Sequence, residues 1–127
     1  MEYATLVVML ALLEYIWFTG RTGARRGKYD IEAPATSGNP DFEKAFRVQQ
    51  NTMEQLVIFI PATYAFAWYV NALWVLVPGA LFIVGRLLYS SAYLSDPKKR
   101  APGMIMTLLA NAVMVIWVLV KVALGLF

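Results

Sequence analysis

Hydrophobic residues lie along the chain in long blocks separated by short polar stretches, a pattern typical of helices that cross a membrane. The first block, residues 3–18, is interrupted only by Thr5 and Glu14. The pattern predicts a single domain over residues 1–127 that folds as a four-helix membrane bundle. The helices have the approximate predicted bounds 2–19, 40–70, 73–94 and 103–126.

Turn signals separate these helices. Residues 20–40 are rich in glycine and proline and predict a long loop, and a second loop is expected at 95–102. Asn39 is suited to cap the second helix, and Pro40 is suited to its first turn. That helix would be about 45 Å long at the usual rise per residue, so its first turns should lie outside the hydrocarbon core. Pro61 predicts a kink in it rather than a break.

The composition narrows both the class of protein and its chemistry. The 127 residues are 60% hydrophobic, with a mean hydropathy of +0.58, as expected for an all-α integral membrane protein. Cysteine and histidine are absent, which excludes disulfides, a protein thiolate nucleophile, an imidazole base and a His/Cys zinc site. No metal is expected. A thiol, if the chemistry uses one, must come from another molecule.

Positive charge is concentrated in two places. Nine of the eleven lysines and arginines lie at 21–47 or 98–100. The positive-inside rule therefore predicts that loops 20–40 and 95–102 face the cytoplasm, together with any site beside them. A small anionic ligand or an anionic lipid fits this distribution better than nucleic acid, because the basic surface flanks bilayer segments and includes acidic residues.

Arg47, Asn51 and Glu54 have the spacing i, i+4, i+7, which places them on one face of the second helix. Ionisable groups at membrane depth indicate a functional site. The alternative is a polar helix start at the headgroup level. A structural explanation also competes with function: Glu14, Arg47, Glu54 and Arg86 could neutralise one another, with Arg86 and Glu54 forming an ion pair.

Arg86, Tyr89 and Tyr93 share one face of the third helix by the same argument. Tyrosines near a helix end commonly form an aromatic belt at the membrane surface. Their alignment with an arginine, opposite another arginine-bearing helix, makes a binding site an equal alternative. Without further information, Arg100 would be interpreted as ordinary cytoplasmic charge.

The motifs together resemble the MAPEG family, the membrane-associated proteins in eicosanoid and glutathione metabolism. The resemblance covers nearly the whole chain, and microsomal glutathione transferases of bacterial type look most similar. It implies a homotrimer of four-helix subunits that binds glutathione between neighbouring subunits. The motifs that carry it are, in order, Arg47-x-x-x-Asn51-x-x-Glu54, Pro61, Gly85-Arg86-x-x-Tyr89-x-x-x-Tyr93 and Arg100-x-Pro102-Gly103.

The resemblance also implies roles for individual residues. Arg100 would face the sulfur of glutathione and act in catalysis, whereas Gln49 and either Arg26 or Arg25 would reach the ligand from the adjacent subunit. Gln55 departs from the tyrosine common at this position in leukotriene synthases, which argues against leukotriene formation. The residues expected to bind glutathione within one subunit are Arg47, Asn51, Glu54, Tyr89 and Tyr93.

The expected function is that of a membrane-bound glutathione transferase in detoxification, or a glutathione-dependent peroxidase. Its other substrates would be lipophilic electrophiles or lipid hydroperoxides from the bilayer, and its partners membrane lipids and further copies of itself. Two alternatives stay open. One is a non-catalytic lipid-binding or scaffold protein of the same fold, and the other is a small multidrug transporter that uses Glu14 for proton coupling.

Overall fold

The computed structural model describes all 127 residues and contains four α-helices and no β-strand. A short 3-10 turn, Pro97–Lys99, connects the third helix to the fourth. The helices are α1 (Glu2–Lys28), α2 (Pro40–Tyr69), α3 (Leu76–Ser95) and α4 (Ala101–Ala123).

Three of the helices, α1, α3 and α4, are long and apolar enough to cross a membrane. Most of their side chains are not buried within the chain, and many large apolar side chains are exposed. Such a surface is suited to lipid, which confirms an all-α membrane protein. α2 is not among the three because charged residues occupy its first half, and its mainly apolar part, 56–69, is only about 20 Å long.

The prediction of a loop at 20–40 was wrong for its first half, because α1 continues to Lys28. The glycines at 20, 23 and 27 lower helix propensity, but tertiary contacts outweigh that cost. The Thr22 hydroxyl donates to the Ala45 carbonyl of α2 at 3.2 Å, and the Arg26 guanidinium lies 4.7 Å from the centre of the Phe42 ring. Basic residues in the last turn also stabilise the helix, because their charges interact favourably with the negative end of the helix dipole.

The remaining loop, 29–39, is tied to the ends of the helices that it joins. Arg25 Nε lies 3.2 Å from Asp41 Oδ2, and the Tyr29 hydroxyl donates to the same oxygen at 2.8 Å. The Tyr29 hydrogen bond holds the pKa of Asp41 below its usual value. Arg26 donates to the Ala35 carbonyl at 2.7 Å. These contacts fix the end of α1 beside the start of α2.

The start of α2 confirms the predicted cap. Asn39 Oδ1 accepts hydrogen bonds from the backbone N–H groups of Asp41 and Phe42, at 2.9 and 3.4 Å, and Pro40 occupies the first turn. The helix continues through Pro61 without a break. α4 begins at Ala101, two residues before its predicted start, because Pro102 in a first turn forfeits no helical hydrogen bond.

α3 and α4 approach each other closely where two glycines face each other. A Cβ on Gly103 would lie 2.7 Å from the Gly85 carbonyl oxygen and would also meet the backbone of Tyr89. A Cβ on Gly85 would lie 2.9 Å from Met106 Cβ. The absence of side chains at both positions therefore lets the two backbones pack directly against each other.

The apolar core lies in the half of the bundle away from the basic residues and draws on all four helices. Phe59 of α2 stacks on Phe82 of α3 with ring centres 3.9 Å apart. A smaller cluster of Phe18, Val48 and Tyr89 lies nearer the charged end. The small cluster supports the polar site described next.

Candidate functional site

A pocket of about 290 Å³ lies where α2, α3 and the start of α4 meet. It contains two guanidinium groups and no carboxylate, so it is suited to an anionic ligand. It is lined by Arg47, Asn51, Tyr89, Tyr93, Arg100 and Met104. Five of these six residues are among those that the sequence singled out for a binding or catalytic role.

The helices position these side chains at intervals of about one turn. Arg47 and Asn51 are four residues apart on α2, and Tyr89 and Tyr93 are four residues apart on α3. The two tyrosine rings are stacked with their centres 5.6 Å apart. Tyr89 is buried against Phe18, which orients the pair toward the pocket.

Arg100 lies at the junction between the 3-10 turn and α4. Its Nη1 donates to the Pro97 carbonyl at 2.8 Å, and the other N–H groups of the guanidinium make no hydrogen bond within the chain. Asp96 caps the turn by accepting from the Lys98 backbone N–H at 3.1 Å. The turn therefore holds the Arg100 side chain beside the pocket with free donors.

The expected ion pair of Arg86 with Glu54 is not formed. Glu54 lies 3.3 Å from Arg47, and both side chains are about half exposed. Arg86 is fully buried, and its hydrogen bonds go to neutral acceptors, which are the oxygens of Asn51, Thr52 and Thr107 and the sulfur of Met104. The reason is geometric: Arg86 points into the bundle, whereas Glu54 lies on the exposed side of α2.

The remaining predicted residues lie outside this pocket within one chain. Gln49 is partly buried and has no side-chain hydrogen bond, and Arg25 and Arg26 are engaged with Asp41 and Ala35. Glu14 is only 7% exposed, and neither of its carboxylate oxygens has a hydrogen-bond partner.

Sequence reasoning missed three residues that complete the site. Met104 lines the pocket, and Thr52 and Thr107 accept hydrogen bonds from Arg86. Met104 lies one turn after Arg100 and could have been found from that spacing. No comparable signal marks the threonines, because their role depends on a side chain from another helix.

The fold and the pocket define a helical membrane protein with a basic, tyrosine-lined pocket at one end of the bundle. Residues 4–120 match the model of the MAPEG family, and the chain belongs to that family. This confirms the family that the motifs indicated.

Individual relatives agree with this membership. The chain is 35% identical over 120 residues to an uncharacterised protein of Synechocystis, covering 94% of this chain and 88% of that protein. It is 37% identical over 97 residues to human microsomal glutathione S-transferase 2, covering 76% of this chain and 66% of the human protein. It is 26% identical over 117 residues to mouse leukotriene C4 synthase, covering 92% and 75% respectively.

Proposed function

We propose that the protein is a membrane-bound glutathione transferase that adds the glutathione thiolate to lipophilic electrophiles. The observation that carries the proposal is the pocket, in which Arg47, Asn51, Tyr89, Tyr93 and Arg100 converge. The relatives named as microsomal glutathione S-transferases support the same class of substrate. The decisive experiment is a titration of the purified protein with glutathione, followed by the ultraviolet absorbance of the thiolate.

Glutathione carries two carboxylates, an ammonium group and a thiol, and residues in and beside the pocket offer counterparts to one carboxylate, to the ammonium group and to the thiol. Arg47 can bind a carboxylate through two parallel hydrogen bonds, and the Glu54 carboxylate beside it can receive the ammonium group. The Tyr89 and Tyr93 hydroxyls can donate or accept. Arg100 is left to face the sulfur.

The proposed mechanism requires no general base from the protein. A free thiol has a pKa of about 8.5, so only a few per cent is ionised at neutral pH. A guanidinium within about 4–6 Å lowers such a pKa by roughly 1–3 units. The thiol loses its proton to solvent water. The thiolate then attacks the electrophilic carbon, a C–S bond forms, and the leaving group departs with its bonding electrons. Peroxide reduction would begin with the same thiolate.

We further propose that the functional unit is a homotrimer in which α2 also crosses the membrane. Gln49 and Arg47 are two residues apart on α2, about 200° around the helix, so they cannot line the same pocket of one chain. Gln49 and Arg25 or Arg26 would instead serve the pocket of a neighbouring subunit. A site between subunits also leaves an open apolar side through which a substrate dissolved in the bilayer can enter.

Arg47→Ala is expected to weaken glutathione binding about tenfold or more, because it removes a charge-assisted hydrogen bond pair to a carboxylate. Equilibrium binding of radiolabelled glutathione measures the change. Lys44→Ala is the matched control, since it removes a positive charge one turn earlier on α2 without touching the pocket. Equal losses in the two variants would mean that only the general positive charge matters.

The basic end of α1, with the loop 29–39 that follows it, and the basic turn before α4 are expected to face the cytoplasm, where glutathione is abundant. The chain lacks cysteine, so single cysteines can be placed in segment 29–39 and at Lys98 without a background signal. Neither position should react with a membrane-impermeant thiol reagent in intact cells, and both should react after lysis. Labelling of either position from outside would contradict the orientation.

A further inference from the structure

The Asn51 side chain lies between the pocket and the buried Arg86. Arg86 Nη1 donates to Asn51 Oδ1 at 2.7 Å, the shortest bond that Arg86 makes. Asn51 Nδ2 has no hydrogen-bond partner, and it is not among the buried unpartnered atoms, so it is open to the pocket that Asn51 lines. The two ends of this amide therefore face different surroundings.

Arg86 determines which end of the Asn51 amide faces the bundle interior. A guanidinium can only donate, whereas an amide has one accepting oxygen and one donating nitrogen. Turning the Asn51 amide over would bring its N–H groups against those of Arg86 and lose the bond. Oδ1 must therefore point inward and Nδ2 outward.

Arg86 is itself held in place by groups that can only accept from it. The Thr52 hydroxyl uses its hydrogen on the Val48 carbonyl at 2.8 Å, and the Thr107 hydroxyl uses its hydrogen on the Gly103 carbonyl at 3.0 Å. Each threonine thus presents a lone pair to Arg86, to Nη1 at 3.3 Å and to Nε at 3.0 Å.

The aromatic face of Tyr89 lies 4.3 Å from the guanidinium carbon of Arg86 and adds a cation–π contact. Arg86 itself is fully buried, with no exposed surface. Together with the two threonines and the Met104 sulfur, to which Arg86 Nη2 donates at 3.6 Å, this contact holds the guanidinium in place.

We propose that Arg86 is a positioning residue that fixes Asn51 as a hydrogen-bond donor toward the pocket. Asn51 then recognises an acceptor on the ligand, a carboxylate or peptide carbonyl, and not the ammonium group. The identity of the ligand rests on the proposed function, but the direction of the Arg86–Asn51 bond does not. With Arg47 and Arg100, the pocket presents donors from three directions and selects for an anionic peptide.

Asn51→Asp tests this directly because it changes the shape of the side chain very little. One carboxylate oxygen keeps the bond from Arg86, while the other replaces the Nδ2 donor with an acceptor. Binding of radiolabelled glutathione should weaken at least tenfold, and the melting temperature in detergent should not fall. Unchanged or tighter binding would overturn the proposal, since it would mean that Asn51 meets the ammonium group.

The matched control is Asn71→Asp, the same substitution at the exposed turn after α2, where the side-chain oxygen caps Leu73 and Trp74 and an aspartate can do the same. It should bind glutathione like the wild type. Asn51→Leu should lower the melting temperature, because it deprives the buried Arg86 of its shortest hydrogen bond. An unchanged melting temperature of Asn51→Leu would contradict a stabilising hydrogen bond between Arg86 and Asn51.

The role of Arg86 is tested by two substitutions that differ in whether the new side chain can accept a hydrogen bond. Arg86→Lys keeps a group that can only donate, whereas the amide of Arg86→Gln can bond to either orientation of Asn51. Arg86→Lys should therefore retain more glutathione affinity than Arg86→Gln, and equal losses would contradict positioning. If the wild type binds no glutathione, the proposed function fails, and so does the proposal that Asn51 recognises an acceptor on glutathione. The melting temperature of Asn51→Leu still tests whether Arg86 donates a stabilising hydrogen bond to Asn51.

Discussion

Arg100→Ala is expected to lower the turnover of glutathione conjugation about 100-fold, a typical loss when a group that stabilises developing negative charge is removed. The guanidinium interacts strongly with the sulfur only after the proton has left, so the affinity for glutathione should change much less than the rate. Initial rates with a chromogenic electrophile, compared with equilibrium binding, separate the two quantities. The free N–H groups of Arg100 beside the pocket are the structural basis for this expectation.

The pH dependence gives a second signature of the same variant. Without the cation, the thiol of bound glutathione should return toward its ordinary pKa, so the rise of activity with pH should move upward by about 1–3 units. Arg100→Lys should recover part of the rate, since a point charge still stabilises sulfur. Lys99→Ala is the control and should behave like the wild type. Small and equal effects of Lys99→Ala and Arg100→Ala would mean that the thiolate is stabilised by Tyr89 or Tyr93.

Gly103→Ala is expected to destabilise the protein by about 3 kcal/mol, at the upper end of the usual cost of overpacking. The added methyl group would meet the Gly85 carbonyl oxygen at 2.7 Å and the backbone of Tyr89. Backbone atoms cannot rotate away as a side chain can, so α3 and α4 must separate. Because Arg86 and Tyr89 lie on the displaced part of α3, glutathione binding should weaken as well.

Gly23→Ala is the matched control for this substitution. Gly23 is also inside a helix, but a Cβ there would have no neighbour within 4 Å. Alanine should therefore leave stability unchanged or raise it by about 0.5–1 kcal/mol through helix propensity. Thermal unfolding in detergent measures both variants, and equal melting temperatures for the two would contradict close packing of α3 on α4.

The features that the sequence alone determined depend on residues close together in the chain. The apolar blocks predicted the helices, and Asn39 with Pro40 predicted the start of α2. Helical periodicity placed Arg47 with Asn51, and Tyr89 with Tyr93, each pair on one face. These predictions needed no knowledge of neighbouring helices, because hydrogen bonding within a helix and capping are local.

The tertiary structure decided which groups meet between helices. Glycines and prolines predicted that α1 ends near residue 19, but contacts with α2 extend it to Lys28. Charge alone suggested an ion pair for Arg86, yet its partners are neutral, namely the oxygens of Asn51, Thr52 and Thr107 and the sulfur of Met104. Spacing along one helix gives the direction of a side chain but not its partner. The partner depends on how closely the helices approach, which Gly85 and Gly103 set at the α3–α4 crossing.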